Sequence, residues 1–341
     1  MCCALSRQES DGTVKAVVLD GFGGPDVMRV AEVDDPSPAP EEVLIEVEAS
    51  AVNRADTSQR RGTYPPPPGA PEYPGLECAG TIVQVGAQVT SWSVGDEVCA
   101  LLGGGGYAEL VAVHHSHLLP RPSGVPLPDS ACLPETACTV VANLAGLNGL
   151  RPGESLLIHG GSSGIGTTAI QWAKTLGCTV LVTVGSERKA QACLTLGADV
   201  AINYHASDFV SAVRDFTAGR GVDVVLDIVG ANYVRRNLES LAPAGRLHQV
   251  GLQSGSVFEA DLRSIMSKRL LMTGSTLRGR SVEQKAEVVQ TVLRTLWPHY
   301  NSGVMHAVID SRFPLTQVAA AHRHLESSTH VGKVLLNVRK R

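Results

Sequence analysis

The run from Ser155 to Gly177 constrains this chain more than any other. Ser155-Leu-Leu-Ile-His159 is apolar and of strand length, breaks into Gly160-Gly-Ser-Ser-Gly-Ile-Gly166, and resumes as a helical pattern that ends at Gly177. A strand, a tight turn and a helix follow from that pattern. Gly161 is expected where the turn needs positive φ, Gly164 where backbone approaches a ligand, and Gly166 where helix lies against strand. A helix starting near Gly164 turns its free N–H groups and positive dipole end toward a diphosphate. The run therefore predicts a dinucleotide site.

Downstream, Thr179–Val184, Val200–Ile202, Asp223–Val229, Arg246–Val250 and Leu270–Thr273 read as buried strands. Segments of helical spacing lie between them at Glu187–Leu196, Asp208–Thr217 and Tyr233–Leu241. Repeated β-α-β order implies a parallel sheet with right-handed crossovers, here a six-stranded, doubly wound Rossmann unit. The first third differs: Thr13–Leu19, Glu42–Glu48, Gly80–Val85 and Glu109–Val113 are short strand candidates between turns such as Pro36-Ser-Pro-Ala-Pro40 and Gly103-Gly-Gly-Gly106. They predict a mostly antiparallel β domain. The expected division is 1–136 for a β-rich catalytic domain, with 1–12 lacking fixed structure, then 137–276 for the Rossmann domain and 277–341 for the return. A cleft between the two domains is where a small substrate would meet the cofactor.

At 341 residues the chain exceeds what one core usually serves. Its net charge of −4, with no basic block, argues against nucleic-acid binding by electrostatics. No apolar run reaches the roughly 18 residues of a membrane span, and eight cysteines without paired spacing read as reduced thiols, so a cytoplasmic protein is expected. Cys2-Cys3 reads as part of a frayed terminus. His159 reads as a packed core histidine, His114, His115 and His117 as a solvated turn, and Cys78 as core.

Several motifs stand in a recognisable order: Asn53-Arg-Ala-Asp56, Arg61-Gly-Thr-Tyr-Pro-Pro-Pro-Pro-Gly69, Gly75-Leu-Glu-Cys-Ala-Gly80, Val94-Gly-Asp96, Pro134-Glu-Thr-Ala-Cys-Thr139, the glycine turn and Val331-Gly-Lys-Val-Leu335. With them the chain resembles the medium-chain dehydrogenase/reductase superfamily, in its zinc-free quinone oxidoreductase branch, and most closely the tumour-suppressor-inducible type. The resemblance implies a GroES-like catalytic domain, NADPH as cofactor, and a homodimer paired through Rossmann edge strands near Arg246–Leu252 and Leu270–Leu277. Zinc members carry Gly-His-Glu where this chain has Gly75-Leu76-Glu77, and a cysteine where it has Asn53. Leucine cannot ligate zinc and an amide replaces a thiolate poorly, so no metal is expected.

The resemblance also implies site residues. Asn53 and Tyr64 face the acceptor slot as the catalytic pair. Asn53, Thr139, Gly161, Ser163, Gly164, Ile165, Gly166, Gly251, Leu252, Ser275, Leu277 and Lys333 line the cofactor, and Gly185, Ser186, Lys189 and Tyr204 surround a 2′-phosphate. The second Rossmann strand ends in Thr183-Val-Gly-Ser186, small and neutral where NAD enzymes place an acid, which favours NADPH. Three functions are expected in order: NADPH-dependent quinone reduction, enoyl or 2-alkenal reduction, and, in another class, a zeta-crystallin-like RNA-binding or structural protein.

Overall fold

The computed structural model describes residues 12–339, so Cys2-Cys3 and the expectation for the first residues lie outside the described residues. The N-terminal part builds β1 (Thr13–Leu19), β2 (Met28–Asp34), β3 (Glu42–Val52), β4 (Glu77–Val85), β5 (Glu97–Leu101), β6 (Leu110–His114) and β7 (Leu118–Pro120). Next come β8 (Ser155–His159), β9 (Thr179–Val184), β10 (Val200–Asn203), β11 (Val222–Asp227), β12 (Leu241–Gln249) and β13 (Leu271–Gly274), and the chain returns as β14 (Ile309–Pro314) and β15 (Lys333–Asn337).

Strands β8 to β13 pair in the order β10-β9-β8-β11-β12-β13, parallel throughout. That is the doubly wound order, with its switch point between β8 and β11. Leu156, Leu157 and Ile158 are buried in sequence because helices cover both faces of β8, which calls for a continuous apolar run rather than alternation. The seven-stranded sheet runs β14-β15-β3-β4-β5-β7, with β6 on β3. Its pairs are antiparallel except β14 with β15. Both β14 and β15 come from the C-terminal return, so the β domain closes only after the Rossmann unit has been made.

One hydrophobic core joins the halves: Ala49, Leu101 and Leu335 of the β domain pack in the same cluster as Leu156, Val182 and Trp172. The helix Pro134–Leu144 bridges them, with Ala137, Cys138, Val140 and Leu144 buried. Its proline-led first turn is what sets it in place, since proline fixes φ where no N–H is needed.

Two expectations need correction. Strand β12 lies between β11 and β13, so its part of Arg246–Leu252 is interior, and of the two segments expected at the dimer seam only that around β13 lies at a sheet edge, the other edge being β10. His117 is not solvated: it is buried and its Nε2 lies 3.1 Å from the Val282 carbonyl. His159 is fully buried, between Thr183 Oγ1 at 2.9 Å and Asn237 Oδ1 at 2.6 Å, and burial pushes its imidazole down to about 4. It is a neutral packing residue. Cys78 is likewise fully buried, with its thiol pushed up by the same cause.

Candidate functional site

The turn after β8 is built from absences of side chain. The residue in the left-handed region is Gly160, at φ 70°, and not Gly161 as the spacing suggested. Gly161 is needed for another reason: a Cβ there would fall 2.5 Å from the Cβ of Val182 on β9. At Gly166 a Cβ would fall 2.5 Å from the carbonyl oxygens of Gly160 and Gly161, so the helix Gly164–Thr175 presses directly on the turn. Ser163 caps that helix, its Oγ accepting from the Gly166 N–H at 3.0 Å. Ile165 packs at the edge of the core. Beneath Gly164 runs the stem of Lys333, whose methylenes occupy the space a Cβ would take. The neighbouring Gly332 donates to the Ser162 carbonyl at 2.8 Å, which fastens the return strand of the β domain to the turn.

Strand β9 ends in Val184, followed by Gly185 and Ser186, and the first acid after it, Glu187, opens the next helix. Gly185 leaves room for Tyr204, whose hydroxyl lies 2.5 Å from where a Cβ would stand. Tyr204 itself is 43% exposed. Ser186 caps the next helix, accepting from the Lys189 N–H at 3.4 Å. The Lys189 ammonium donates to the Ser328 carbonyl at 2.5 Å, and Arg188 donates to the Thr329 carbonyl. Close by, His330 has a buried Nδ1 with no partner among the described residues, and burial beside Lys189 and Arg54 holds its ring down to about 4. Gly185 and Tyr204 thus meet at the end of β9, and Ser186 and Lys189 are joined through the helix cap, with the Lys189 ammonium turned to the Ser328 carbonyl.

The floor of the cleft is a buried ion pair. Glu77, fully buried on β4, receives Lys333 Nζ at 2.6 Å and Asn53 Nδ2 at 3.0 Å on one oxygen, and the Glu135 N–H at 2.8 Å on the other. Lys333 Nζ also donates to Asn53 Oδ1 at 2.5 Å. The Asn53 amide and the Lys333 ammonium, expected on the cofactor, are therefore committed first to Glu77. Asn53 is held in turn by Asp56, which accepts from the Asn53 N–H at 2.8 Å, the Gly75 N–H at 3.2 Å and the Tyr107 hydroxyl at 3.0 Å. Burial nonetheless pushes the Asp56 carboxyl up to about 6. Leu76, at the zinc-ligand position, is 1% exposed and packed in the core.

Across the cleft, Tyr64 is half-buried and held through its main chain. Arg278, itself buried, donates to the Tyr64 carbonyl at 3.0 Å, to the Gly103 carbonyl at 2.8 Å and to Gln59 Oε1 at 2.7 Å, and its guanidinium stands 5.4 Å from the Tyr64 ring centroid. The sequence reading, which reached Ser275 and Leu277, missed this clamp; a guanidinium just beyond a sheet edge was its one signal. The remaining expected residues are joined by hydrogen bonds. Gly251 O receives Gln249 Nε2 at 2.5 Å, Ser275 N–H donates to the Gln249 carbonyl at 3.2 Å, Ser275 Oγ donates to Asn143 Oδ1 at 2.8 Å, and Asn143 Nδ2 donates to the Thr139 carbonyl at 2.8 Å. Leu277 is buried beside them. Leu252 is not brought in this way; it is 56% exposed, over Gly230.

A GroES-like β domain sharing one core with a Rossmann sheet, its buried Glu77–Lys333 pair set against the glycine turn, is the architecture of a two-domain oxidoreductase. The alcohol dehydrogenase GroES-like domain matches residues 39–123, and the zinc-binding dehydrogenase family matches residues 164–294. A quinone oxidoreductase of Pseudomonas aeruginosa is 32% identical over 324 residues, covering 94% of this chain and 99% of the relative. A 2-haloacrylate reductase of a Burkholderia species is 32% identical over 331 residues, covering 95% of this chain and 98% of that one. Among solved structures, the Escherichia coli quinone oxidoreductase complexed with NADPH superposes with a TM-score of 0.86 at 31% identity, covering 95% of this chain and all of its own. The chain belongs to the medium-chain dehydrogenase/reductase superfamily. Among the described residues no helix is long and apolar enough to cross a membrane, and no group of three or more His, Cys, Asp or Glu is arranged to hold a metal ion.

Proposed function

We propose that this chain is an NADPH-dependent quinone reductase that needs no metal. The observation that carries the reading is the cleft floor: the metal-ligand position is a core leucine, Leu76, and the Asn53 amide is tied to Glu77 and Lys333. No Lewis acid can be assembled from those groups, so the acceptor has to be electron-poor by itself. A reduced nicotinamide, when bound, supplies a hydride. The residues supply the rest: the glycine turn admits a diphosphate, Arg278 fixes the Tyr64 loop, and the Tyr64 hydroxyl is available to an oxygen that gains negative charge. Similarity to the 2-haloacrylate reductase favours a second reading, hydride transfer to a carbon–carbon double bond beside a carbonyl. NADPH oxidation on panels of quinones and enones, with and without chelator, tests both. Turnover of quinones undiminished by chelator is expected; activity that needs added zinc would refute the metal-free reading.

The 2′-phosphate reading rests on Gly185, Ser186, Lys189 and Tyr204. Lys189→Ala removes the charged partner and is expected to weaken NADPH binding by about 1.5–3 kcal/mol while leaving NADH nearly unchanged. Equal losses for the two cofactors, measured by fluorescence titration, would show that Lys189 serves only the Ser328 contact.

We also propose the extents 1–136, 137–276 and 277–341 for the domain segments, a cytoplasmic setting, and a homodimer formed along β13. That strand is an edge whose Leu271 and Met272 are 38% and 39% exposed, and the preceding helix exposes Leu262 and Met266. Sedimentation is expected to show a dimer that Met272→Lys dissociates. A wild-type monomer at micromolar concentration would refute it.

A further inference from the structure

We propose that Glu135 is the proton donor of the cleft, its carboxylic acid protonating the oxygen of the reduced acceptor. The proposal rests on the quinone-reductase reading and adds the one reactant that reading leaves unassigned, a proton.

Glu135 is the second residue of the helix Pro134–Leu144, and its N–H lies on Glu77 Oε2 at 2.8 Å, directly above the ion pair of the floor. Thr139, one turn further on the same face, connects through Asn143 to Ser275 at the other wall. The neighbours Pro134, Thr136 and Ala137 are buried, whereas Glu135 is half-buried, so its side chain sits at the margin of the packed core, enclosed but not sealed from it. Its carboxyl makes no hydrogen bond and no salt bridge among the described residues, unlike Glu77 and Asp56. A half-buried carboxyl beside the Glu77–Lys333 pair, without a structural partner among the described residues, is available for chemistry.

The charged groups around it explain its protonation. Glu77 on β4 and Asp56 on the helix Arg54–Arg60 disfavour its anion, while Lys333 on β15 and Lys285 on the helix Val282–Thr295 favour it. Because Lys333 is already paired with Glu77, burial and the Glu77 charge prevail and push the Glu135 carboxyl up to about 8. It therefore carries a proton at neutral pH. Tyr64 and Arg278, on the acceptor side, both lie close enough to feel its charge.

The step balances. A quinone receives a hydride, two electrons and a proton, from NADPH; one of its carbonyl oxygens then takes the Glu135 proton as the carboxyl O–H bond breaks and the phenol O–H bond forms. Solvent returns a proton to the carboxylate. The sum is NADPH, quinone and one proton to NADP⁺ and hydroquinone.

The test compares wild type, Glu135→Gln and Glu135→Asp with an ortho-quinone. Wild-type kcat is expected to fall as pH rises through about 8, following loss of the Glu135 proton. Glu135→Gln is expected to lower kcat at neutral pH by about 10²-fold and to remove the alkaline limb, with Glu135→Asp recovering part of both. NADPH affinity and thermal midpoint should hold in the variants. Independently of turnover, infrared titration of the cofactor-free protein should show a protonated carboxylic acid that ionises near that pH and is missing from Glu135→Gln. Persistence of the alkaline limb in Glu135→Gln, absence of the infrared band, or parallel loss of NADPH affinity and thermal midpoint would each overturn the role. A wild type whose band titrates as expected but which reduces no quinone would refute the quinone reading itself, and the donor role with it.

Discussion

Lys333→Met is expected to destabilise the fold by about 3–5 kcal/mol, the usual consequence of removing one partner of a buried ion pair. Glu77 is fully buried, and Lys333 Nζ at 2.6 Å is its only cationic contact among the hydrogen bonds it receives. Methionine preserves the stem that passes under Gly164 and removes only the charge. The Glu77 anion would then keep the Asn53 amide and the Glu135 N–H, two neutral donors, in a site without water to share its charge. Adding Glu77→Gln should recover part of the stability by removing the unpaired charge; its single amide oxygen keeps one of the two donors, Asn53 Nδ2 or the Glu135 N–H, which sit on different carboxylate oxygens. Denaturant unfolding of the two variants at neutral pH measures this. A Lys333→Met protein as stable as wild type at neutral pH would mean that the pair contributes nothing to the fold.

That pair marks the boundary between what was legible in the chain and what was not. The strands β1 and β9 stand where apolar runs end in turn residues, and the order of the parallel sheet follows from β-α-β alternation. Local patterns of that kind are written in consecutive residues. Strands β5, β7 and β14 escaped because each is short or mixes polar residues into an edge, where burial of one face does not impose alternation. The partnership of Glu77 with Lys333 spans 256 residues and needs the C-terminal return to lie against β3 and the glycine turn. Lys333 was found through the Val331–Leu335 motif, but its direction, toward an acid and not toward a phosphate, is a property of packing. The glycine turn teaches the same lesson at smaller scale. Spacing identified which residues are glycines for a reason, while the left-handed residue proved to be Gly160, and Gly161 is glycine because a Cβ there would meet Val182.

The second large effect concerns the acceptor. Tyr64→Phe is expected to lower turnover with enones by up to the equivalent of about 2.7–4 kcal/mol, the loss that follows removal of one oxyanion donor in a dry site. The substitution is clean in this setting. Arg278 holds the loop through the Tyr64 carbonyl at 3.0 Å and stands over the ring face, and phenylalanine keeps both the carbonyl and the ring. Burial also raises the ionisation of the Tyr64 phenol, with the Glu135 charge adding to it, so the hydroxyl stays protonated and able to donate throughout the neutral range. An enone concentrates charge on one oxygen as its double bond is reduced, and that oxygen needs a donor. An ortho-quinone spreads the charge over an aromatic ring and two oxygens, so it should lose less than the enone does. NADPH affinity should not change, because Tyr64 belongs to the loop of the β domain and the phosphate-binding glycines belong to the Rossmann sheet. Parallel kcat measurements on one enone and one ortho-quinone, with NADPH Kd from fluorescence, decide the matter. Equal turnover of variant and wild type on both acceptors would reduce Tyr64 to a packing residue, and a weakened NADPH Kd would place its loop on the cofactor side of the cleft.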